Sequence, residues 1–147
     1  EDVTVTNIVN TNGVITAVVT ADCKAKVGAD TITLKVTDGG GLTATADLTV
    51  NVTANTPPTL GNYPAVVTIN LGAGTIVTPD APPTDNGTIS LSLDFSKSLK
   101  ATLSVNSATG TVTISDPNST GTYAVTVKAK DNCGATSTRT FQLKVNP

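Results

Sequence analysis

The sequence lacks histidine, tryptophan and methionine, and only 3% of its 147 residues are aromatic. The missing histidine excludes Ser-His-Asp triads, Cys-His pairs and His-ligated zinc sites. The shortage of aromatic rings argues against a sugar-binding platform built from exposed side chains. We therefore predict that the chain is not an enzyme.

Charged residues are also scarce, at 14% of the chain with a formal net charge of −2. Binding to phosphate backbones needs clustered Lys and Arg, and the sequence has no such cluster, so nucleic acid is a poor partner. No apolar run approaches the 18 residues of a spanning helix, so we expect no membrane insertion.

The chain begins within a strand-like pattern, with neither an initiator methionine nor a signal peptide. We expect a fragment or a processed product, exported by an upstream signal that is not present in this chain.

The residues that are present favour an all-β fold. Hydrophobic residues make up 38% of the chain and are mostly Val, Ile, Leu and Ala, and threonine is the commonest residue. β-Branched side chains suit the half-buried surfaces of pleated sheets, and no window shows a helical period.

A repeated hairpin pattern is the main organising feature. The segment Gly28 to Val52 matches Gly121 to Val145 at a constant offset of 93 residues. Both segments alternate apolar and polar residues with period two, as strands with one buried face do. A fixed offset indicates successive repeats, so we predict two units.

The predicted strands are short and separated by turn signals. They cover residues 3–9, 14–21, both halves of 28–52, 65–71, 74–78, 88–95, 99–105, 111–115, 122–130 and 136–145. Seven strands in the second unit are typical of an immunoglobulin-like antiparallel β-sandwich. We predict a partial unit of four strands at 1–54, a proline-rich linker at 55–59 and a complete sandwich at 60–147.

The first unit contains only the last four strands of such a sandwich, which would leave an apolar face and a sheet edge uncovered. Three explanations are open. The chain is a segment of a longer array, or a neighbouring chain supplies the missing strands so that the protein polymerises, or the unit is a small native four-stranded module.

The two hairpins carry a family resemblance. The segments VTDGGGLTATADLTVNVTANTPP and GTYAVTVKAKDNCGATSTRTFQLKV resemble the closing strands of bacterial immunoglobulin-like and cadherin-like repeats, including the HYR type. The resemblance implies a spacer or adhesive module of a secreted or cell-surface protein.

We therefore predict a non-catalytic extracellular structural repeat, such as a stalk, filament or adhesin spacer, whose partners are neighbouring repeats. The alternatives are an adhesion module that binds a surface glycan or protein, and an accessory domain of a larger secreted enzyme.

No cofactor is expected, and calcium has only weak candidates. Asp38 and Asp131 stand where cadherin-like repeats carry a calcium aspartate, but residues 53–57 contain no carboxylate. A calcium ion prefers six to eight oxygen ligands. The competing interpretation is that both aspartates are turn residues that bond to the following backbone.

The two cysteines belong to different units, Cys23 before the penultimate strand of the first and Cys133 before the last strand of the second. Because strands alternate in direction, both loops face the junction if the units stack end to end. We predict a Cys23–Cys133 disulfide across the domain boundary, and hence an oxidising compartment. Free thiols and a bond between chains are the alternatives.

The loop at 79–88 is the longest and is the candidate binding loop, with Asp80, Asp85 and Asn86 as its polar residues. Asp80 and Asp85 are also the nearest approach to a catalytic carboxylate pair, but nothing in the sequence around them would shift a pKa. We therefore interpret Asp80 and Asp85 as solvated turn residues and not as a catalytic pair.

Three asparagines, Asn51, Asn86 and Asn118, lie in N-x-S/T sequons and are possible glycosylation sites. Tyr123 opens the penultimate strand, where sandwiches place a tyrosine corner whose hydroxyl bonds to local backbone. Tyr63 is the one aromatic residue without a predicted partner, and we expect it to pack on the junction.

Overall fold

The structure is a computed structural model that describes residues 3–147. Within that range every regular element is a β-strand, and it contains no helix that is long and apolar enough to cross a membrane. The strands are β1 (Val3–Thr11), β2 (Val14–Ala21), β3 (Gly28–Thr37), β4 (Thr43–Val52), β5 (Val66–Asn70), β6 (Thr75–Val77), β7 (Ile89–Phe95), β8 (Thr102–Val105), β9 (Val112–Ser115), β10 (Gly121–Asp131) and β11 (Thr136–Asn146). Each predicted strand is present.

The chain divides into two compact units, Glu1–Ala54 and Asn55–Pro147. Unit 2 contains a four-stranded sheet, β5-β11-β10-β7, and a three-stranded sheet, β6-β9-β8. All pairings are antiparallel except that of β5 with β11, which is parallel. The predicted all-β, immunoglobulin-like fold class is confirmed, because this sheet order is that of a seven-stranded immunoglobulin-like sandwich.

The core of unit 2 comes from the inward faces of its two sheets. β10 contributes Val125 and Val127, and β11 contributes Phe141 and Leu143, all at most 1% exposed. Val112 and Ile114 of β9 face them from the other sheet and are equally buried. The alternation seen in the sequence therefore places every second side chain in the core.

Tyr123 forms the predicted tyrosine corner at the start of β10. Its hydroxyl donates to the carbonyl of Thr120 at 2.9 Å and lies 3.0 Å from the Ser119 hydroxyl. The ring is 8% exposed and belongs to the core. The hydroxyl thereby ties the loop before β10 to the sheet, so this prediction is confirmed.

Unit 1 consists of two hairpins, β1-β2 and β3-β4, each a two-stranded antiparallel sheet. β1 carries a register shift between Thr6 and Val9, with Asn7 in the left-handed region at a φ of 51°. Such a shift is a β-bulge, which bends the strand locally.

The hairpin β3-β4 has the same register as β10-β11. Gly28 pairs with Val52 as Gly121 pairs with Val145, and each hairpin continues in step to a total of ten residue pairs. The turns also agree, because Gly41 and Gly134 both have positive φ, at 86° and 92°. The sequence offset of 93 is thus a structural equivalence.

The equivalent hairpins differ in burial. Phe141 is 1% exposed, whereas its equivalent Leu48 is 44% exposed, and Ala129 is fully buried, whereas Val36 is 45% exposed. No described residue of unit 1 is buried. The same strand pair is therefore a core element in unit 2 and a half-exposed surface in unit 1.

This difference predicts unequal effects of two matched substitutions. Phe141→Ala should lower the free energy of unfolding by about 3–5 kcal/mol, because it empties a closed core site. Leu48→Ala should cost well under half as much, because the side chain is already half in water. Urea unfolding followed by far-UV circular dichroism measures both variants, and tyrosine fluorescence reports unit 2 alone because both tyrosines lie there. Equal losses would contradict the burial difference.

Candidate functional site

Hydrogen bonds join separate segments of unit 2 at the end where its chain begins. Three segments meet there: residues 55–62, the loop at 79–88 and the turn at 131–135. We call this region the entry pole. Hydrogen bonds between the three segments hold the entry pole together. Of the residues that the sequence singles out, it contains Asp80, Asp85, Asn86, Asp131 and Cys133.

Asp131 is the buried carboxylate of the entry pole, with 4% exposure. One of its oxygens accepts hydrogen bonds from the backbone N–H groups of Cys133 and Ala135, at 2.9 and 2.8 Å. The other accepts the Asn55 side-chain amide at 2.7 Å. The Asn55 amide, followed by those backbone donors, lowers the pKa of Asp131 below its usual value despite the opposing effect of burial.

Asp38 makes the same turn in unit 1. Its Oδ1 accepts from the backbone N–H groups of Gly40 and Leu42, at 2.8 and 2.9 Å. Asp38 and Asp131 are therefore equivalent turn residues that accept hydrogen bonds from the following backbone. This is the interpretation that competes with a calcium site. The described residues include no group of three or more His, Cys, Asp or Glu side chains placed to hold a metal ion, and a calcium role for these aspartates stays a prediction.

The predicted binding loop is fastened at both ends. Near its start, Asp80 accepts the Asn62 backbone N–H at 2.6 Å and the Asn62 side-chain amide at 2.9 Å. The side-chain amide is the largest cause of a lowered pKa at Asp80. Further along, Thr84 and Thr59 exchange two backbone hydrogen bonds, at 2.8 and 3.0 Å. An ionised carboxylate with these partners suits anchoring better than proton transfer.

Gly61 shows how closely the loop approaches the start of unit 2. A Cβ atom at this position would collide with the backbone of Ala81 and lie 2.9 Å from the Asp80 carboxylate. Only glycine allows the two chain segments to come this near. The predicted linker residues are thus partly packed on unit 2, where Pro58 and Leu60 are buried.

The end of the loop is tied to the turn between β10 and β11. Asp85 Oδ2 accepts the Gly87 N–H at 2.8 Å, and the Asn132 side-chain oxygen accepts the Thr88 N–H at 3.1 Å. The other Asp85 oxygen is buried and has no hydrogen-bond partner among the described residues. Asn86, at the tip, is exposed.

Tyr63 is not a free aromatic residue. Its ring stacks on Phe141 with the centroids 5.5 Å apart and the planes 28° apart. Its hydroxyl donates to the Gly110 carbonyl, and burial raises its pKa. The ring therefore covers one side of the unit 2 core. The sequence did not reveal this role, because Phe141 and Gly110 are distant from Tyr63 along the chain.

The remaining predicted sites lie on the surface or in loops. Asn51 is exposed on β4, and Asn86 and Asn118 are exposed in loops, so all three sequons are accessible. Cys23 follows β2 and Cys133 follows β10, as predicted, and neither is a free thiol.

An apolar cleft in unit 1 is a feature that the sequence only hinted at. It has a volume of about 340 Å³ and lies between the two hairpins of the unit. Val5 and Val19 line it from one hairpin, and Ile32, Leu34 and Leu48 line it from the other. The alternating apolar residues of β3 were the available signal, since they imply a face that needs a cover.

The entry pole predicts a pH dependence of stability. The pKa of Asp131 is lower in the folded chain than in the unfolded one, so its contribution is complete above pH about 4. That contribution is lost as the pH falls through the folded pKa. Asp131→Asn should therefore destabilise unit 2 at pH 7 and less so at pH 2–3, measured by urea unfolding at each pH. Asp94→Asn, on the exposed face of β7, is the matched control. If the stability lost in Asp131→Asn were as large at pH 2–3 as at pH 7, the lowered pKa of Asp131 in the folded chain would be contradicted.

Comparison with known proteins gives one family and several structural likenesses. A family model described as "Putative Ig domain" (He_PIG) matches residues 57–146. No curated protein matches the chain.

Among solved structures, the I67–I69 fragment of titin has a TM-score of 0.49 at 13% identity, over 99% of this chain and 50% of that one. Insect hemolin has a TM-score of 0.43 at 14% identity, and the match covers 80% of this chain and 29% of hemolin. A nucleoside hydrolase-related protein of Saccharophagus degradans has a TM-score of 0.49 at 14% identity. This match covers 63% of this chain and 26% of that protein. The chain spans between 17 and 26% of the length of the first three solved structures that it matches.

The family match covers more than half of the chain and coincides with the seven-stranded sandwich of unit 2. Through unit 2, the chain belongs to the He_PIG family of immunoglobulin-like domains.

Proposed function

We propose that the chain is a structural repeat segment of an extracellular protein, which holds immunoglobulin-like modules at a fixed spacing in a stalk, filament or adhesin. The observation that carries this proposal is the reuse of one hairpin at a constant offset, with the same register and the same turn. Tandem reuse of a module is how extended proteins gain length.

The hydrogen-bond network of the entry pole supports a mechanical role. The first residues of unit 2 are fastened to two other segments by the Asn55–Asp131, Thr59–Thr84 and Asn62–Asp80 hydrogen bonds. When the two cysteines are not bonded to each other, a pull on the chain at Asn55 is therefore shared with the loop at 79–88 and with Asp131 at the end of β10.

We further propose that Cys23 and Cys133 are bonded to each other within one chain, which implies an oxidising, extracellular setting. About 110 residues lie between them in the sequence, so the bond would shield most of the chain from extension. It would also restrict hinging, which is otherwise the default between domains.

A binding role for the loop at 79–88 has less support. Asp80 has both carboxylate oxygens occupied by Asn62, and Asp85 is held by the loop's own backbone. Asn86 is exposed at the tip of the loop, and no hydrogen bond of its side chain is recorded among the described residues. These bonds favour a loop that stabilises unit 2 over one that adapts to a ligand.

Single-molecule stretching of the full chain from its two ends tests the spacer proposal. In the oxidised protein, the about 110 residues between the cysteines should not extend. After reduction, the contour length gained on unfolding should increase by about 360–400 Å, at about 3.3–3.6 Å per residue.

The Cys23→Ser/Cys133→Ser variant is the control and should behave as the reduced protein does without added reductant. The same contour length before and after reduction would contradict the internal bond. Unfolding of unit 2 at negligible force in both forms would contradict the mechanical role.

A further inference from the structure

We propose that unit 1 binds a β-strand from another immunoglobulin-like repeat along the free edge of β3, in the register that β7 takes on β10. The bound strand would be an extended segment of about seven residues with apolar side chains at alternating positions. This inference does not depend on the spacer role, because it concerns only the surface of unit 1.

The equivalence of the two hairpins identifies the place of the strand. In unit 2, β10 pairs with β11 on one side and with β7 on the other. In unit 1, β3 pairs with β4, and among residues 3–147 no strand occupies its other edge. The position filled by β7 is thus open in unit 1.

The edge of β3 is suited to pairing. It presents ten residues without a proline or a register shift. Natural proteins usually protect such edges with bulges, prolines or short strands, because unpaired N–H and C=O groups are a template for another strand. β3 has no bulge or proline and is ten residues long, with Asp30 and Lys35 as its charged residues, whereas β1, in the same unit, has a bulge.

The template in unit 2 fixes the register of the proposed strand. Val125 pairs with Phe95, Val127 with Leu93, and Ala129 with Leu91. The equivalents of these three β10 residues, at the offset of 93, are Ile32, Leu34 and Val36 of β3. A bound strand that places large apolar residues opposite those three positions would reproduce the pairing of unit 2.

The inward side chains of unit 1 give the strand its apolar contact. Val36 and Leu48 are 45% and 44% exposed, whereas their equivalents Ala129 and Phe141 are at most 1% exposed. The 340 Å³ cleft lies directly against Ile32 and Leu34. Covering this surface recovers apolar burial, and edge hydrogen bonds fix the orientation, which is how β-augmentation binds extended peptides.

The test uses the full-length oxidised chain and a fluorescent peptide with the sequence of residues 88–96, TISLSLDFS. The peptide should bind saturably, measured by fluorescence anisotropy. Hydrogen exchange should slow at the β3 amides that point away from β4. A peptide of the same composition, in which the apolar residues stand together instead of alternating, should bind at least about tenfold more weakly, because no register then turns all of its apolar side chains toward unit 1.

Two chain variants separate the binding faces. Leu34→Thr, on the inward face of β3, should weaken binding of the peptide about tenfold. Lys35→Gln, on the outward face of the same strand, should leave binding unchanged. The comparison of the two peptides on the unaltered chain tests the need for alternating apolar residues even if the Leu34 variant does not fold.

Two results would overturn the proposal. The first is no binding of the peptide at all. The second is protection that maps to β10, which would mean that the peptide displaces β7 in unit 2. Self-association of the chain that protects β3 without the peptide would support the proposal, because a second copy itself contains an immunoglobulin-like repeat. If the strand-binding proposal failed, the spacer proposal that the stretching experiment tests would still stand.

Discussion

The burial of one face of a two-stranded ribbon is the constraint on which the rest of this structure depends. In β10-β11, alternate side chains enter the core between the two sheets of unit 2 and are fully buried. A lone hairpin is marginal in water, because its apolar face and outer edges have no partner. In unit 2, β5 and β7 occupy both edges and the second sheet covers the face, so the ribbon becomes the centre of a sandwich.

Unit 1 shows the same ribbon without those neighbours. Its register, its turn aspartate and its turn glycine are those of unit 2, yet its apolar side chains remain partly in water. Local sequence is therefore sufficient to specify the hairpin, while the surrounding strands decide how much it buries. Comparison with unit 2 indicates what unit 1 would need to bury its apolar side chains, namely a strand beside β3 and a cover over the cleft.

The sequence predicted what depends on short-range pattern and not what depends on distant contacts. Period-two alternation located the strands, and the offset of 93 located the repeated hairpin, because both are set by neighbouring residues. The tyrosine corner at Tyr123 bonds only three residues away and was also predicted. By contrast, the Asn62–Asp80 pair and the stacking of Tyr63 on Phe141 join segments whose proximity follows from the whole sandwich. No local pattern marks them.

Amide hydrogen exchange of the isolated chain at neutral pH tests the central claim most directly, since it compares equivalent residues of one molecule. Val125 and Val127 of β10 should exchange at the rate of global unfolding of unit 2, because both edges of that strand are paired. Ile32 and Leu34 of β3 should exchange orders of magnitude faster, because unit 1 opens locally from its free edge. Equal protection of β3 and β10 would contradict the claim that the repeated hairpin is enclosed in one unit and uncovered in the other.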